Sequence, residues 1–156
     1  MDTVANDATS VARRRARASA DALYAGDKAS QGLGIELLDV APGSVRVGMT
    51  VRADMVNGHG ICHGGILFML ADSAFAFACN SYGEPMVAAG ASIEFLASVN
   101  KGARITATAT ETSRSARGGI YDVVVARESG EPLAHFRGRC ARLRLPLQPS
   151  PQEEPK

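Results

Sequence analysis

The sequence predicts an α+β fold in which one curved antiparallel sheet wraps around a long central helix. Residues 63–81 form an almost unbroken run of apolar and small residues, too long for a strand and rich in Ala, Leu, Met and Phe. Two strand-like segments precede this run and four follow it. A helix that is apolar on all sides must be covered by other elements, so we expect it against the concave face of the sheet.

The composition is that of one globular domain. The chain has 156 residues, of which 46% are hydrophobic and 21% charged. A formal net charge of +1 argues against a nucleic-acid-binding surface. The three cysteines, Cys62, Cys79 and Cys140, form no Cys-x-x-Cys pair, which indicates a reducing compartment. Because no apolar run has the length of a signal peptide or a membrane span, we expect a cytoplasmic protein.

Residues 1–29 are predicted to be a helical extension. The Ala- and Arg-rich stretch over 10–24 favours a helix, with Ser10 as its N-cap and Gly26 as its stop. The arginine cluster at 13–17 is interpreted as a solvated helix face, because acidic residues dilute its charge and no aromatic residues alternate with it.

The main domain is predicted over residues 30–145. Its strands are expected at 35–40, 45–51, 86–98, 103–113, 119–128 and 132–145, with hairpin turns at 116–119 and 128–132. In the last strand the apolar residues change phase near Gly138, which predicts a bulge there. The Pro-rich end, 146–156, is expected to be a disordered tail.

One carboxylate, Asp72, interrupts the apolar run of the central helix. An ionised carboxylate in apolar surroundings is costly, so its pKa rises unless a cation or hydrogen bonds compensate. No Lys or Arg occurs between residues 53 and 100. Asp72 could face solvent, but its apolar neighbours favour a buried acid, and such an acid is a candidate base or nucleophile.

The triplet His63-Gly64-Gly65 stands at the start of the same helix. A helix N-terminus presents unpaired N–H groups, and glycine lets a carbonyl oxygen approach them closely. Gly64 and Gly65 are therefore candidate oxyanion donors, or else they only permit a tight turn. Eight residues of helix place Asp72 roughly 12 Å from Gly64, too far for one small carbonyl. If both act on it, the site needs two subunits with antiparallel central helices.

The run NGHGICHGGILFMLADSAFA, residues 57–76, resembles the signature of the hotdog-fold acyl-CoA thioesterases of the phenylacetate-degradation (PaaI) type. The family pattern is an Asn, a Gly three residues later, His-Gly-Gly, and Leu-x-Asp-x-Ala. These positions are Asn57, Gly60, His63-Gly64-Gly65, Leu70, Asp72 and Ala74. Residues 90–102 also look like the family's strand after the helix, and the resemblance covers about residues 30–145.

The resemblance implies a hotdog fold and a role for each motif residue. Asp72 would be the catalytic carboxylate, acting either as general base on water or as nucleophile. The Gly64 amide would polarise the thioester carbonyl, and Asn57 would orient the water or the thioester. His63 would support the carbonyl region or position the loop, although it could also simply cap the helix. Asp72 would come from the opposite subunit, and the family forms homotetramers, usually dimers of dimers.

Further residues are candidates for binding the substrate. Guanidinium groups pair well with phosphate, so Arg114 and Arg117 could hold the CoA phosphates, or they could belong to an exposed charged hairpin. Phe68 and Phe75 could line an aromatic acyl pocket or be plain core, and Ser92 could face the acyl group. Cys62 is interpreted as a small buried residue. Neither a metal nor a redox cofactor is expected, since CoA belongs to the substrate and no Cys pair stands at ligand spacing beside the His residues.

The expected function is hydrolysis of phenylacetyl- or hydroxyphenylacetyl-CoA to the free acid and CoA. Two alternatives stay open at this point. The first is an acyl-thioester hydratase or dehydratase of the same fold, and the second is a non-catalytic acyl-CoA-binding module. Release of CoA on adding the protein to an acyl-CoA, against binding without release, separates the thioesterase from the binding module.

Overall fold

The computed structural model describes residues 2–143, and side chains from residue 8 onward. The predicted tail, 146–156, lies outside this range. The helices are α1 (Asp2–Gly26), α2 (Lys28–Gly32) and α3 (Gly64–Cys79), with a 3-10 turn at Ala53–Met55. The strands are β1 (Glu36–Ala41), β2 (Ser44–Thr50), β3 (Met86–Phe95), β4 (Arg104–Ser115), β5 (Gly118–Arg127) and β6 (Pro132–Arg142).

The six strands form one antiparallel sheet in the order β1-β2-β4-β5-β6-β3. The predicted α+β architecture and its six strands are confirmed. Helix α3 packs mainly on the central strands β2, β4 and β5. The alternation along each strand directs one set of side chains at α3, and these fill the core. Examples from three strands are Val47, Met49, Ile105, Ala107, Val123 and Val125, each at most 1% exposed.

The bulge predicted near Gly138 is wrong. Strand β6 keeps its register with β5 through this position, where Tyr121 pairs with Gly138. The irregularity lies instead in the neighbouring β3, between Ala88 and Gly90. Gly138 is required by packing, because a Cβ there would lie 2.9 Å from ring carbons of Phe75 on α3. The apolar residues change phase because β6 ends at Arg142.

Helix α1 is longer than predicted, and Ser10 is not its N-cap. The helix begins at Asp2, since neither Gly nor Pro interrupts residues 2–10. It packs on β1 and the end of α3 through Ala16 and Ala20, both 0% exposed. The arginine cluster at 13–17 has its guanidinium-bearing residues exposed, as predicted. None of the helices among residues 2–143 is long and apolar enough to cross a membrane.

Two further differences concern short elements. Helix α2 and the 3-10 turn were not predicted, since segments of five and three residues leave no periodic pattern. Strand β3 ends at Phe95 rather than at residue 98.

The two edges of the sheet differ in how they are covered. Helix α1 packs over the edge strand β1, whereas most residues of the other edge strand, β3, are exposed.

Candidate active site

The N-terminus of α3 has one unpaired backbone donor. His63 is the N-cap, and its Nδ1 accepts a hydrogen bond of 2.9 Å from the Gly65 N–H. The N–H groups of Ile66 and Leu67 both bond to the His63 carbonyl. Among the described residues, nothing accepts a hydrogen bond from the Gly64 N–H. The two candidate donors thus reduce to Gly64, because the Gly65 amide already has a partner.

The hydrogen bond of His63 fixes its tautomer. A ring nitrogen that accepts a hydrogen bond carries no proton, so the neutral imidazole is protonated on Nε2. Nδ1 is therefore engaged in capping α3 and is not free to act as a base. The side chain is exposed, and Nε2–H is the group that it presents for other contacts.

Asn57 organises the loop before α3. Its Oδ1 accepts hydrogen bonds from the backbone N–H groups of His59 (2.9 Å) and Ile61 (3.4 Å). Its own N–H and C=O bond to Ile61 and Gly60, which closes the turn. Within residues 2–143, no acceptor is bonded to the Asn57 Nδ2. The side chain thus holds the loop through its oxygen and keeps two N–H donors for another group.

A cavity of about 340 Å³ adjoins the Gly64 amide. Besides Asn57, Cys62 and Gly64, its walls are mainly apolar: Ile61, Leu67, Phe95, Leu96 and Ala97, with Ser98. Phe95 and Leu96 are 54% and 55% exposed, although they are large apolar residues. Their roles were missed in the sequence, where they are only part of the 90–102 segment. Burial raises the pKa of the Cys62 thiol, so it stays protonated and fits the interpretation as a small buried residue.

Asp72 lies within the unbroken helix Gly64–Cys79 and is half-buried. Burial raises the pKa of its carboxyl, and the negative charge of Asp27 raises it further. No ion pair involving Asp72 occurs among the described residues. The helical rise again separates it from Gly64 by roughly 12 Å. Within one protomer, the unpaired Gly64 N–H and the Asp72 carboxyl are therefore too far apart to contact the same carbonyl group.

The aromatic candidates belong to the core. Phe75 is 0% exposed, and its ring lies 5.8 Å from that of Tyr121 and 5.9 Å from that of Phe136. Phe68 is half-buried, with its ring 5.3 Å from Phe136. The sequence left open whether Phe68 and Phe75 line an acyl pocket or belong to the core, and both residues fit core packing. The aromatic ring that lies beside Gly64 is that of Phe95.

Ser92 and the two arginines lie away from this cavity. Ser92 is exposed and pairs with Arg137, on the face of the sheet opposite to α3. Arg114 forms an ion pair of 3.2 Å with Glu84 and stacks 3.9 Å above the ring of Tyr82. Tyr82 follows α3, so Arg114 sits near the C-terminal end of this helix, about 22 Å along its axis from Gly64.

Arg117 is exposed in the β4–β5 turn beside Arg114. Its backbone N–H bonds to the Ser115 hydroxyl, whereas its guanidinium has no acceptor among residues 2–143. Of the two arginines, Arg117 therefore has the free charge.

Comparison with known proteins finds relatives over most of the chain. Residues 59–134 match the thioesterase superfamily. The chain is 42% identical to the acyl-coenzyme A thioesterase PaaI of Escherichia coli K12 over 125 aligned residues. The aligned region covers 80% of this chain and 89% of the E. coli protein. The chain is 31% identical to an esterase of unproven function from Archaeoglobus fulgidus, over 83% of this chain and 84% of that one.

Solved structures give the same relationship. The E. coli PaaI protein from the phenylacetic acid degradation operon superposes with a TM-score of 0.83 at 40% identity, covering 85% of this chain and 96% of that chain. A mutant of the phenylacetic acid degradation protein PaaI from Thermus thermophilus gives 0.72 at 42% identity, covering 75% and 100%. The chain therefore belongs to the thioesterase superfamily, as a hotdog-fold enzyme of the PaaI type, a family of acyl-CoA thioester hydrolases.

Proposed function

We propose that the protein hydrolyses aromatic acyl-CoA thioesters, with phenylacetyl- and hydroxyphenylacetyl-CoA as the leading substrates. The observation that carries this proposal is the unpaired Gly64 N–H beside an apolar cavity that contains Asn57. An N–H at a helix N-terminus favours the negative charge that develops on a carbonyl oxygen under attack. The origin of the E. coli relative in a phenylacetic acid degradation operon supports an aromatic acyl group.

The proposed site is completed by a second copy of the chain. Strand β3 is an edge strand whose residues 87–92 are all exposed, and several of them are small or apolar. An uncovered edge of this kind is a template for pairing with another strand. Antiparallel pairing of two β3 strands would set the α3 helices side by side in opposite directions, which brings Asp72 of the partner subunit toward Gly64. Two such dimers would form the proposed homotetramer.

Two routes use these groups, and both begin with the thioester carbonyl oxygen accepting a hydrogen bond from Gly64. In the first, Asp72 of the partner subunit takes a proton from water as the water oxygen attacks the carbonyl carbon. In the second, the Asp72 carboxylate itself attacks, and water later cleaves the resulting anhydride. In both routes the C–S bond breaks, and the CoA sulfur leaves and takes up a proton. Both require an ionised Asp72.

The CoA phosphates are proposed to contact Arg117. Its guanidinium is exposed and unpaired among the described residues, whereas the charge of Arg114 is balanced by Glu84. Arg114 lies near the C-terminal end of α3, and Arg117 follows it by three residues in the β4–β5 turn. In an antiparallel pair of helices, this end of one subunit comes beside the Gly64 end of the other. An arginine of one subunit would thus serve the site of its partner.

The proposed chemistry uses only groups of the protein. No three His, Cys, Asp or Glu side chains within residues 2–143 come together as a metal-binding group. A hydratase needs a His and an acid for chemistry at the α-carbon, but Nδ1 of His63 is occupied by the Gly65 amide. A cytoplasmic location is part of the same proposal, because the three cysteines are buried free thiols.

The first test measures CoA release from phenylacetyl-CoA by the wild type and by Asp72→Asn. We expect kcat to fall by about 10² to 10⁴, the range for loss of a catalytic acid or base. Light scattering must show the same oligomer for both proteins. Equal rates would contradict the assignment of Asp72.

A panel of phenylacetyl-, hydroxyphenylacetyl-, hexanoyl- and acetyl-CoA tests the proposed preference for aromatic acyl groups. The proposal of an aromatic substrate fails if kcat/KM is not highest for an aryl-acetyl thioester.

A further inference from the structure

A chain of polar groups leads from the α1–α2 junction into the central helix. Asp27, the N-cap of α2, accepts hydrogen bonds from the Ser30 N–H (2.9 Å) and from the Ser30 hydroxyl (2.5 Å). The Ser30 Oγ lies 2.9 Å from the Oγ of Ser73 on α3. Ser30 is 0% exposed and Ser73 is 5% exposed, so the hydroxyl pair is shielded from water. Ser73 directly follows Asp72 in the sequence.

The direction of the protons along this chain follows from the groups present. An ionised carboxylate only accepts hydrogen bonds, so the single hydroxyl proton of Ser30 points to Asp27. The Ser30 oxygen must then accept the proton of Ser73. The chain therefore runs Ser73 to Ser30 to Asp27, and every hydroxyl proton in it is oriented toward the Asp27 carboxylate. Bonds to a charged acceptor are stronger than neutral ones, which fixes this carboxylate in place.

We propose that Asp27 is a positioning residue for Asp72, whose fixed negative charge, anchored through Ser30 and Ser73, sets the pH range in which Asp72 is the active, ionised base or nucleophile. This inference rests on the proposed function of Asp72 and adds to it a residue outside the motif. Asp27 belongs to the segment that joins the N-terminal helix to the sheet, so the extension contributes to the site as well as to the fold.

The electrostatic surroundings of Asp72 support this role. A negative charge near a carboxyl makes its ionised form less favourable, and the effect is strong where water is excluded. Asp27 acts on Asp72 from the α1–α2 junction, and its charge adds to the effect of burial in raising the pKa of Asp72. On α3 itself, the charge of Asp72 raises the pKa of the Cys79 thiol, and Cys140 of β6 forms a hydrogen bond with the same thiol. No Lys, Arg or His of the described residues acts on Asp72 to oppose Asp27.

The decisive variant is Asp27→Asn, because Asn is as good an N-cap as Asp. The amide oxygen can still accept the Ser30 N–H, so α2 keeps its cap while the charge is lost. Asp21→Asn is the matched control: Asp21 is an exposed carboxylate on α1, paired with Arg17 at 2.9 Å. It changes the net charge of the protein by the same amount, in a neighbouring segment, without touching the serine pair.

The first readout is the pH profile of kcat/KM for phenylacetyl-CoA. Both proposed routes need an ionised Asp72, so activity falls on the acid side as Asp72 takes up a proton. We expect Asp27→Asn to move this acid limb to lower pH and Asp21→Asn to leave it in place. The plateau rate should fall by less than about tenfold, because a weaker base lowers a proton-transfer rate only in part. Coinciding acid limbs for wild type and Asp27→Asn would overturn the proposal.

The second readout does not depend on turnover. Aspartate labelled with ¹³C at Cγ gives carboxyl resonances that titrate with pH, and the resonance missing in Asp72→Asn identifies Asp72. We expect this resonance to titrate at lower pH in Asp27→Asn than in the wild type or in Asp21→Asn. An unchanged titration overturns the role of Asp27 whatever the activity. If the titration shifts but no thioester is hydrolysed, the proposed function fails while the coupling between the two carboxylates stands.

Discussion

Gly64→Pro is the most direct test of the oxyanion donor, because proline removes the N–H and keeps the helix. Gly64 is the first residue of α3. Proline is favoured at this position, where the N–H has no partner within the helix. The residue before proline must be extended, and His63 already has φ −63° and ψ 135°. The backbone therefore accepts proline without rearrangement.

Gly64→Ala is the matched control, since it adds a Cβ and retains the N–H. That Cβ would lie 3.1 Å from the Cζ of Phe95. The contact is tight, but Phe95 is 54% exposed and has room to turn away. Both variants share this Cβ contact, but proline also adds the Cγ and Cδ of its ring, so kcat and KM are compared separately: loss of the N–H lowers kcat, whereas crowding of the substrate raises KM. Loss of one oxyanion donor costs about 10² to 10³ in kcat, or about 2.7–4 kcal/mol.

The assay compares kcat and KM of the two variants for phenylacetyl-CoA by thiol release, with melting temperature and oligomeric mass as controls. We expect kcat of Gly64→Pro to be lower than that of Gly64→Ala by the factor given above, with both proteins folded. Values of kcat within about twofold of each other would refute the role of the Gly64 N–H. A change in KM alone would also refute it, because the proline ring would then only crowd the substrate.

Three other outcomes are expected. Gly138→Ala should lower the free energy of unfolding by about 1–3 kcal/mol in urea denaturation, since its Cβ meets the Phe75 ring at 2.9 Å; an unchanged midpoint would contradict this packing. The native pKa of Asp72 is raised, so ionising Asp72 at a pH above the ordinary carboxyl range destabilises the folded protein. Asp72→Asn should therefore have a higher melting temperature than the wild type at pH 7, and this difference should shrink as the pH falls toward 3.8. A difference in melting temperature that does not depend on pH would contradict the raised pKa. Arg117→Ala should raise KM for the CoA thioester more than Arg114→Ala does, whereas Arg114→Ala should lower the melting temperature more; the reverse pattern would exchange their roles.

Much of the fold could be predicted from periodicity. The strands were recognisable from alternating apolar residues between turn signals, and the buried helix from an apolar run that is too long for a strand. The structure predictions from the sequence failed where one residue was compatible with two different local structures. Gly138 was consistent with a bulge, but it is glycine because a ring from α3 lies against it. Ser10 was consistent with an N-cap, but helix-compatible residues precede it. The first distinction depends on a tertiary contact, whereas the second depends on residues 2–9, which contain no helix-breaking Gly or Pro.

The candidate site was only partly predictable for the same reason. Asp72 and the His-Gly-Gly triplet could be singled out because an acid in an apolar run and glycines at a helix start conflict with simple packing. The sequence could not choose between Gly64 and Gly65, since that choice depends on which amide the His63 ring occupies. Nor could it place Phe95, Leu96 or Asp27, which reach the site by tertiary contacts.

The sequence by itself determined the central helix and the six strands of this protein, its family motif and the separation of Asp72 from Gly64 along one helix. Helical rise makes that separation a local property, so the proposal of a site shared by two subunits follows from the sequence alone. The tertiary structure decided which amide stays unpaired, which edge of the sheet is left uncovered, and which distant carboxylate acts on Asp72. These depend on contacts between residues far apart in the chain, and hydrogen bonding and Coulomb interactions act through distance in space, whatever the spacing in sequence.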